Sequence, residues 1–511
     1  MHTRTSRTRS RAAGGSSSGS AARPDAREAG QHAGASGSQE RGEAAASGQA
    51  GGSRGKLAEA ALGDAYYREL AGRRGNALSR IVSSWADRVS GAAAQGSFSS
   101  QQAQYASGRT TRDYVCNTIG LALWGFVFPL LTIVCTQLVG AQQAGVFSLA
   151  FVTANLLMYL GNYGVRTFQV ADIYDVRSFA DYQVARIITC LAMLALGVGY
   201  CALRGYGGSV LVMTLGVFAY RTLDSLADVY EGRLQQADKM YLAGISQALR
   251  AGLALIAFSV VLLLSRSLAA ASVFLAIGNA LVLLFVTLPL AYMETAKSRR
   301  ATRANVADIM QRCLPLFAAI FLYNLCDNIP KFMMEGVLSY DNQLYFNALY
   351  FPAHSILMMA GMVYKPLLLR LANAFKGGDR SGFSSTLGLV LGCIVGIVVV
   401  MLVIMNTVGL PLMSFLYGID FARFRIPMNL MIVAGGLTAA IDFLYQVITI
   451  QRKQNTVMKL YVVTLAVSVV ASVSLIHACG LLGAVAAYVI EMAVLFALIV
   501  RQLVLNSRVM R

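Results

Sequence analysis

From Tyr114 onward the chain alternates long apolar runs with short polar connections. Each run approaches the ~20 residues that a helix needs to cross the hydrocarbon core of a bilayer. The runs lack the period-two alternation of membrane strands, and backbone in lipid must satisfy its own hydrogen bonds, so they predict helices. Twelve spans are predicted, numbered 1 to 12 in chain order: 114–138, 146–169, 183–203, 209–231, 241–264, 268–292, 310–333, 342–370, 383–407, 427–450, 458–478 and 480–503. The predicted fold class is an all-α integral membrane protein.

The longest internal connection divides these spans into two sets of six. It runs from about Glu294 to Ile309 and is the most basic of the connections. The predicted domains are an N-lobe at 111–293, a basic linker at 294–309, a C-lobe at 310–505 and a short tail at 506–511. Two halves that start in the same orientation indicate parallel repeats about an axis along the membrane normal.

The charges between the spans predict the orientation. One side holds only Arg204, Arg266, Arg423 and Arg425. The other side holds Arg177, Arg233, Lys239, Lys297, Arg299, Arg300, Arg303, Arg370, Lys376, Arg380, Arg452, Lys453, Arg508 and Arg511. By the positive-inside rule the second side is cytoplasmic. Both termini are then expected in the cytoplasm, as an even number of spans requires.

Residues 1–110 have a different composition from the rest. The stretch 30–55 is almost wholly Ala, Gly, Ser, Gln, Arg and Glu, which offers too little apolar surface to offset the entropy of ordering. We therefore expect a disordered, basic cytoplasmic tail. Within it, residues 57–89 have the pattern of an amphipathic helix whose arginines suit anionic lipid headgroups. A transient helix in a disordered tail is the alternative reading.

Composition and charge exclude several classes of function. The 511 residues are 56% hydrophobic and only 13% charged, and the mean hydropathy is +0.57, which excludes a water-soluble enzyme. The net charge of +18 lies in the tail and between apolar runs, so it does not indicate nucleic acid as a partner. The eight cysteines show no CxxC spacing, the four histidines form no cluster, and there is no Walker A motif. We expect no metal and no bound cofactor.

Polar residues follow one face of three predicted spans. Because charged side chains in hydrocarbon cost a few kcal/mol each, their placement is informative. Span 2 carries Asn155, Asn162, Arg166 and Gln169; span 4 carries Arg221, Asp224, Asp228 and Glu231; span 7 carries Asn324, Asp327, Asn328 and Lys331. Isolated polar residues are Arg250, His354, Asp442 and Glu491.

Two explanations of these stripes stay open. One is a water-filled central cavity that all three stripes line. The other is a set of buried interhelical pairs, such as Arg166 with Asp224 or Asp327 with Lys331. Pro315, Pro330, Pro352 and Pro366 lie in spans 7 and 8, where they predict kinks or local openings of the kind that transporters use near a substrate. Three glycines of span 9, Gly388, Gly392 and Gly396, have the spacing of a close helix contact.

Six short motifs along the two predicted lobes have a familiar order and spacing. Near the N-lobe start they are 117–120 (NTIG), 138–140 (LVG) and 144–150 (AGVFSLA), followed by 161–172 (GNYGVRTFQVAD) at the end of span 2. In the C-lobe they are 328–332 (NIPKF) and 365–368 (KPLL). Together these motifs resemble the polysaccharide flippases, the branch of the MATE/MOP superfamily that serves polysaccharide export. The resemblance covers about residues 110–505, and the first 110 residues have no counterpart in it.

This resemblance implies two MATE-like six-helix lobes that work by alternating access around a cationic cavity. The implied activity is the translocation of undecaprenyl-pyrophosphate-linked oligosaccharides across the cytoplasmic membrane for capsule, O-antigen or exopolysaccharide synthesis. Arginine binds pyrophosphate oxygens in two places at once, so the expected substrate ligands are Arg166, Arg221, Arg250, Lys331 and Lys365. Expected cavity or ion-coupling residues, for a proton or sodium gradient, are Asn155, Asn162, Asp224, Asp228, Asn324, Asp327, Asn328 and Glu491. Expected partners are membrane lipids and the polymerase and glycosyltransferases of the same pathway.

Other functions remain as alternatives to the oligosaccharide flippase. A cation-coupled exporter of small molecules shares the fold, but it would favour an acidic or aromatic cavity rather than stripes that contain cations. A lipid II flippase is a second alternative. A membrane-embedded polymerase would need a catalytic carboxylate pair on a large outer loop, and the predicted outer connections are short, so we expect no enzyme activity.

Overall fold

The computed structural model describes residues 109–172, 176–295, 297–451 and 455–508. The predictions for the N-terminal tail, including the helix at 57–89, lie outside these residues. Apart from one isolated bridge between Glu335 and Leu338, the regular elements of the described chain are helices. The predicted all-α fold class is confirmed.

Spans 1 to 6 follow the predicted runs, and we keep the name N-lobe for them. Span 1 is the helix Arg109–Val139; span 2 is Ala141–Asn162 with a second segment Val165–Ala171; span 3 is Phe179–Leu203; span 4 is Gly208–Gln236; span 5 is Met240–Ser265; span 6 is Leu268–Val282, a π turn Leu283–Thr287 and Leu288–Met293. Within this lobe span 4 packs against spans 2, 3, 5 and 6, and span 1 packs against span 5.

Spans 7 to 12 keep the name C-lobe. Span 7 is Arg303–Met334; span 8 is Asp341–Tyr364, a 3-10 turn Lys365–Leu367 and Leu368–Lys376; span 9 is Arg380–Ile404, a π turn Met405–Gly409 and Leu410–Tyr417; span 10 is the turn Ala422–Phe424 and Arg425–Ile450. The last helical run is Asn455–Arg508. Eleven helical stretches in the described chain are long and apolar enough to cross a membrane.

The last stretch contains two spans, because the chain reverses at Gly480. This residue has φ 58° and ψ −131°, a conformation open to glycine and outside any helix. Ser468 Oγ donates to Glu491 Oε2 at 2.6 Å, so residues at nearly the same distance from Gly480 face each other in an antiparallel hairpin. Spans 11 and 12 therefore meet almost without a loop, and with this division the described residues contain the twelve spans that the sequence predicts.

The two ends of the bundle carry different charges. We call the end that holds Arg177, Lys239 and the linker the basic end, and the end that holds Arg204 and Gly480 the opposite end. Contacts between connections support this assignment: Lys239 Nζ lies 2.6 Å from Glu294 Oε2 at the basic end. Arg266 donates to the carbonyl oxygen of Leu138 at the opposite end, at 2.7 Å.

Glycines permit the closest helix contacts, but not those predicted for span 9. Gly388, Gly392 and Gly396 have nothing within 4 Å of a built Cβ, so this spacing does not mark a contact within the described chain. The close approaches lie at Gly120 against Gly244, which joins spans 1 and 5, and at Gly435 against Ala353, which joins spans 10 and 8. The glycine spacing alone did not reveal which helix face is buried.

Candidate functional site

Span 2 is broken where its polar stripe lies. Tyr163 and Gly164 have left-handed φ angles of 46° and 70°, so the helix ends at Asn162 and a new segment starts at Val165. The carbonyl oxygen of Gly161 accepts hydrogen bonds from Arg186 Nη1 at 3.0 Å and Thr189 Oγ1 at 2.7 Å. Span 3 thus satisfies the backbone that the break releases, and Arg166 lies just beyond the break.

The stripe on span 2 is the accessible face of an otherwise buried helix. Asn155, Asn162 and Arg166 are half-buried, whereas Gln169 is buried and donates to the carbonyl oxygen of Val229. Span 2 packs against spans 3 and 4 on one side and against spans 7 and 8 of the C-lobe on the other. The Tyr163 ring stacks on Phe317 of span 7 with centroids 4.6 Å apart. We infer that the accessible stripe lies between the lobes.

The stripe on span 4 forms the centre of an ion-pair network inside the N-lobe. Its members in the described chain are the arginines Arg166, Arg186, Arg221 and Arg250 and the carboxylates Asp224, Asp228 and Glu231. Four cations against three anions leave this network with an excess of one positive charge. Such an excess favours an anionic ligand.

Each carboxylate of this network has at least two cationic partners. Asp228 lies between Arg166 Nη1 at 2.8 Å and Arg186 Nη2 at 2.6 Å. Asp224 is bound by Arg221 at 2.9 Å and Arg250 at 3.1 Å, and Trp124 donates its indole N–H to the same carboxylate. The predicted pair of Arg166 with Asp224 is not the one that forms, because Asp228 lies closer to the break.

Glu231 is the third carboxylate of the network. Arg250 pairs with it directly, and Arg166 Nη1 lies 3.8 Å from its Oε2. Arg221 is further enclosed by rings, with the Phe151 centroid 4.6 Å from its Cζ. Arg221 and Arg250 are 3% and 2% exposed, so neither reaches the space between the lobes in this conformation.

A second polar cluster lies in the C-lobe around Asp327 of span 7. The carboxylate accepts hydrogen bonds from Tyr350 of span 8 and Tyr488 of span 12, both at 2.8 Å. Lys331 Nζ lies 3.8 Å from Asp327 Oδ2 and donates to Asn328 Oδ1 at 2.8 Å. The predicted pair of Asp327 and Lys331 is therefore present.

Other predicted C-lobe residues lie around this cluster. Asn324 and Asn328 donate to carbonyl oxygens one turn back, those of Ile320 and Asn324. Glu491 is fully buried and bonded to Ser468. Lys365 is exposed at the 3-10 turn that ends the first segment of span 8.

The five predicted substrate ligands differ in how much of each side chain is exposed. Arg221, Arg250 and Lys331 are buried with partners, whereas Lys365 is exposed and the Arg166 side chain is 29% exposed. Arg166 still has directed partners: its Nε and Nη2 donate to Gln235 Oε1 at 3.2 and 2.9 Å. Arg166 is thus the most accessible arginine of a network with a surplus positive charge, and the Asp228 side chain beside it is 21% exposed.

The lobes meet at the opposite end through Glu335, which follows span 7. Its carboxylate pairs with Arg204 and accepts from Tyr200 at 3.1 Å and Tyr206 at 2.6 Å, all from the N-lobe. The hydrogen bond to Glu335 raises the pKa of the Arg204 guanidinium, and burial and the same carboxylate raise the pKa of Tyr206. Both donors therefore keep their protons at physiological pH.

A close backbone approach lies beside this contact. A Cβ added at Gly145, near the start of span 2, would overlap the carbonyl oxygen of Tyr340. At the basic end a different pair crosses from lobe to lobe, with Arg177 Nε 3.0 Å from Asp308 Oδ2. Span 7 is therefore tied to the N-lobe near both of its ends.

Several residues of the site were not predicted from the sequence. Arg186 lies near the start of span 3, where a cation suggests an interfacial anchor, yet it is fully buried. The sequence does not mark Trp124, Tyr350 and Tyr488 as site residues, because aromatic residues are common in apolar helices. Only the packing of the spans shows that their polar atoms converge on Asp224 and Asp327.

This fold is that of the MATE and MOP transporters. The structure is similar to an inward-facing multidrug resistance MATE family transporter of the MOP superfamily, with a TM-score of 0.56 and 11% identity over 77% of this chain and 99% of that one. It is also similar to the lipid II flippase MurJ in an inward closed conformation, with a TM-score of 0.58 and 11% identity over 76% of this chain and 87% of that one.

A third similar structure is a MOP superfamily transporter from Pyrococcus furiosus, whose binding pocket is described as reversed in polarity. Its TM-score is 0.53, with 13% identity over 79% of this chain and 95% of that one. No family model matches the sequence, and no curated protein matches it by sequence. At these identities the likeness shows the fold, while the substrate must be argued from the site.

Proposed function

We propose that the protein is a MOP-type flippase that moves a lipid-linked oligosaccharide pyrophosphate across the cytoplasmic membrane by alternating access. The observation that carries this proposal is Arg166, an accessible arginine beside a helix break in a network that holds four cations and three anions. A pyrophosphate supplies the missing negative charge, and the guanidinium fork binds its oxygens in two places.

The position of Arg166 suits entry of the headgroup from one side. It lies in the short segment Val165–Ala171, near the basic end that we place in the cytoplasm by the positive-inside rule. Lys365 is exposed on span 8 of the other lobe. A phosphate group between the lobes would then contact one cation from each, while the lipid tails stay in the bilayer.

The same charge pattern weighs against one alternative, a carrier of organic cations. A carrier of organic cations would place accessible carboxylates in its cavity, whereas each N-lobe carboxylate of this network has at least two arginine partners. Expected partners of the proposed flippase are the glycosyltransferases that make its substrate and the polymerase that consumes its product. The proposal excludes an enzymatic step on the glycan itself.

The test compares Arg166→Lys and Arg166→Ala in reconstituted vesicles that contain an undecaprenyl-pyrophosphate oligosaccharide. We expect partial flipping from the lysine variant, which keeps the charge without the fork, and loss of flipping from the alanine variant. Arg312→Ala is the control, because Arg312 is an exposed arginine paired with Asp308 on the surface of span 7. Wild-type flipping by Arg166→Ala contradicts the proposal.

A structural role for Arg166 has a different signature. Arg166→Ala leaves Asp228 paired with Arg186 and Glu231 paired with Arg250. Abundance and thermal melting of the variant are therefore measured together with its flipping. Folded Arg166→Ala protein that does not flip supports the substrate role, whereas a loss confined to the abundance of folded protein supports the structural one.

A further inference from the structure

A chain of hydrogen bonds joins an exposed histidine to the buried carboxylate of Asp327. His354 is exposed in the middle of span 8, and its Nδ1 lies 3.2 Å from the hydroxyl oxygen of Tyr350. Tyr350 donates to Asp327 Oδ2 at 2.8 Å, and Asp327 is 6% exposed. The imidazole, the phenol and the carboxylate therefore form a continuous path from an accessible site to a buried one.

The charges around Asp327 are set by three packed spans and by the facing N-lobe. Lys331 is 3.8 Å from the carboxylate and 4.0 Å from the centroid of the Tyr350 ring. The titratable groups within electrostatic range of Asp327 are Lys331, Tyr323 and Cys326 on span 7, Tyr350 and His354 on span 8, Tyr488 and Glu491 on span 12, and Tyr159 on span 2, which Arg221 also faces. Among the described residues, Lys331 is the ion-pair partner of Asp327.

Two other carboxylates of this lobe, the buried Glu491 and the half-buried Asp442, lack such a path in the described chain. Glu491 has one hydrogen-bond partner, Ser468, and its Oε1 has none. Asp442 accepts from Tyr364 and lines a separate cavity of about 150 Å³ together with Tyr323, Tyr445 and Tyr461. Of these three carboxylates, Asp327 is the one that a histidine, His354, reaches through the hydroxyl group of Tyr350.

We propose that Asp327 is the proton-binding site of the C-lobe and that His354 and Tyr350 load it from the space between the lobes. In one step the protonated His354 gives its Nδ1 proton to the Tyr350 oxygen, while Tyr350 passes its own proton to Asp327 Oδ2. One N–H bond breaks, one O–H bond forms at Asp327, and Tyr350 regains the proton that it gave. Histidine suits the entry position because it changes charge between about pH 5 and pH 8.

Loading Asp327 changes the packing of three spans. The ionised carboxylate accepts from both tyrosines, whereas after the relay the Asp327 Oδ2–H donates to the Tyr350 oxygen and Tyr488 donates to a neutral acid. Both hydrogen bonds lose the ionised acceptor that strengthens them. Protonation also leaves Lys331 buried without its counter-ion, which is unfavourable unless an anion arrives or the spans move. The proton thereby weakens the link of spans 8 and 12 to span 7. The role of this proton in driving flipping rests on the proposed function, whereas the protonation of Asp327 does not.

Infrared difference spectroscopy after a rapid drop in pH tests the relay on the full chain in lipid nanodiscs, with no glycan present. We expect a protonated carboxyl band in the wild type that is absent in Asp327→Asn. Tyr350→Phe and His354→Gln should slow the appearance of the band by at least about tenfold, because each removes a proton carrier. The control variants Asp442→Asn and Tyr364→Phe match them in chemistry and lie in the same lobe, and they should leave the band and its rate unchanged.

The result that overturns the proposal is equally specific. A band that persists in Asp327→Asn, or a rate that stays unchanged in Tyr350→Phe, excludes this site or this path. Thermal melting of each variant shows whether it is folded, and the conservative Tyr350→Phe keeps the ring that packs beside Lys331. Because no lipid-linked glycan is present, a negative flipping assay would leave the infrared result intact, and the two failures are distinguishable.

Discussion

Arg186 Nη1 lies 3.0 Å from the carbonyl oxygen of Gly161, at the point where span 2 breaks. The same guanidinium reaches Asn162 Oδ1 at 3.0 Å and Asp228 Oδ2 at 2.6 Å. One buried side chain from span 3 thus joins the broken backbone of span 2 to the ion-pair network of span 4. The irregular segment that presents Arg166 is held by this contact, so the geometry of the proposed substrate ligand depends on a residue behind it.

We predict that Arg186→Ala destabilises the N-lobe by about 3–5 kcal/mol, because Asp228 loses a buried partner and the Gly161 carbonyl loses a donor. Thermal unfolding of the purified protein in detergent measures the change. Arg312→Ala, which removes an exposed arginine, should melt close to the wild type. Equal melting of the two variants would show that the break in span 2 is stable without Arg186.

We predict that Glu335→Gln opens the opposite end of the protein. The variant keeps an acceptor for Tyr206 but loses the charge that binds Arg204. Spin labels at Gly207 and Val337, one on each lobe, should show the separated state enriched severalfold, which corresponds to roughly 1 kcal/mol for an ion pair whose arginine is partly exposed.

Asp420→Asn is the matched control for this measurement. Asp420 lies at the same end, but its carboxylate accepts a hydrogen bond from the backbone N–H of Ala422, two residues further along the chain. Its substitution should leave the distance distribution unchanged. An unaltered distribution in Glu335→Gln would mean that the Gly145 approach alone holds this end closed.

Orientation in the membrane is testable by cysteine labelling. With Cys479, the exposed cysteine, replaced by serine, a membrane-impermeant reagent added outside should reach cysteines placed at Gly207 and Asp420. It should not reach cysteines placed at Arg300 and Lys376 unless the membrane is opened. Labelling of Arg300 from outside would reverse the orientation and with it the proposed entry side for the headgroup.

The spans could be predicted from sequence, because length and hydropathy are properties of each segment alone. The turn at Gly480 lies at the boundary between the predicted runs 458–478 and 480–503. Three residues of the predicted stripe on span 2, Asn155, Asn162 and Arg166, are half-buried rather than buried. Partner choice could not be predicted, because it depends on how the helices pack. Arg166 pairs with Asp228 rather than Asp224, and nothing in the local sequence distinguishes the two carboxylates. Arg186 was missed because a single arginine near a helix start is usually a surface anchor.

The turn at Gly480 also bears on how the chain enters the membrane during synthesis. Spans 11 and 12 have almost no hydrophilic loop between them, and the buried Glu491 of span 12 finds its hydroxyl partner on span 11. A lone span 12 would carry an unsatisfied carboxyl group into lipid, which is costly. Spans 11 and 12 therefore enter the membrane most favourably together, as a helical hairpin. A chain truncated before Gly480 would lack half of this hairpin and would be a target for degradation.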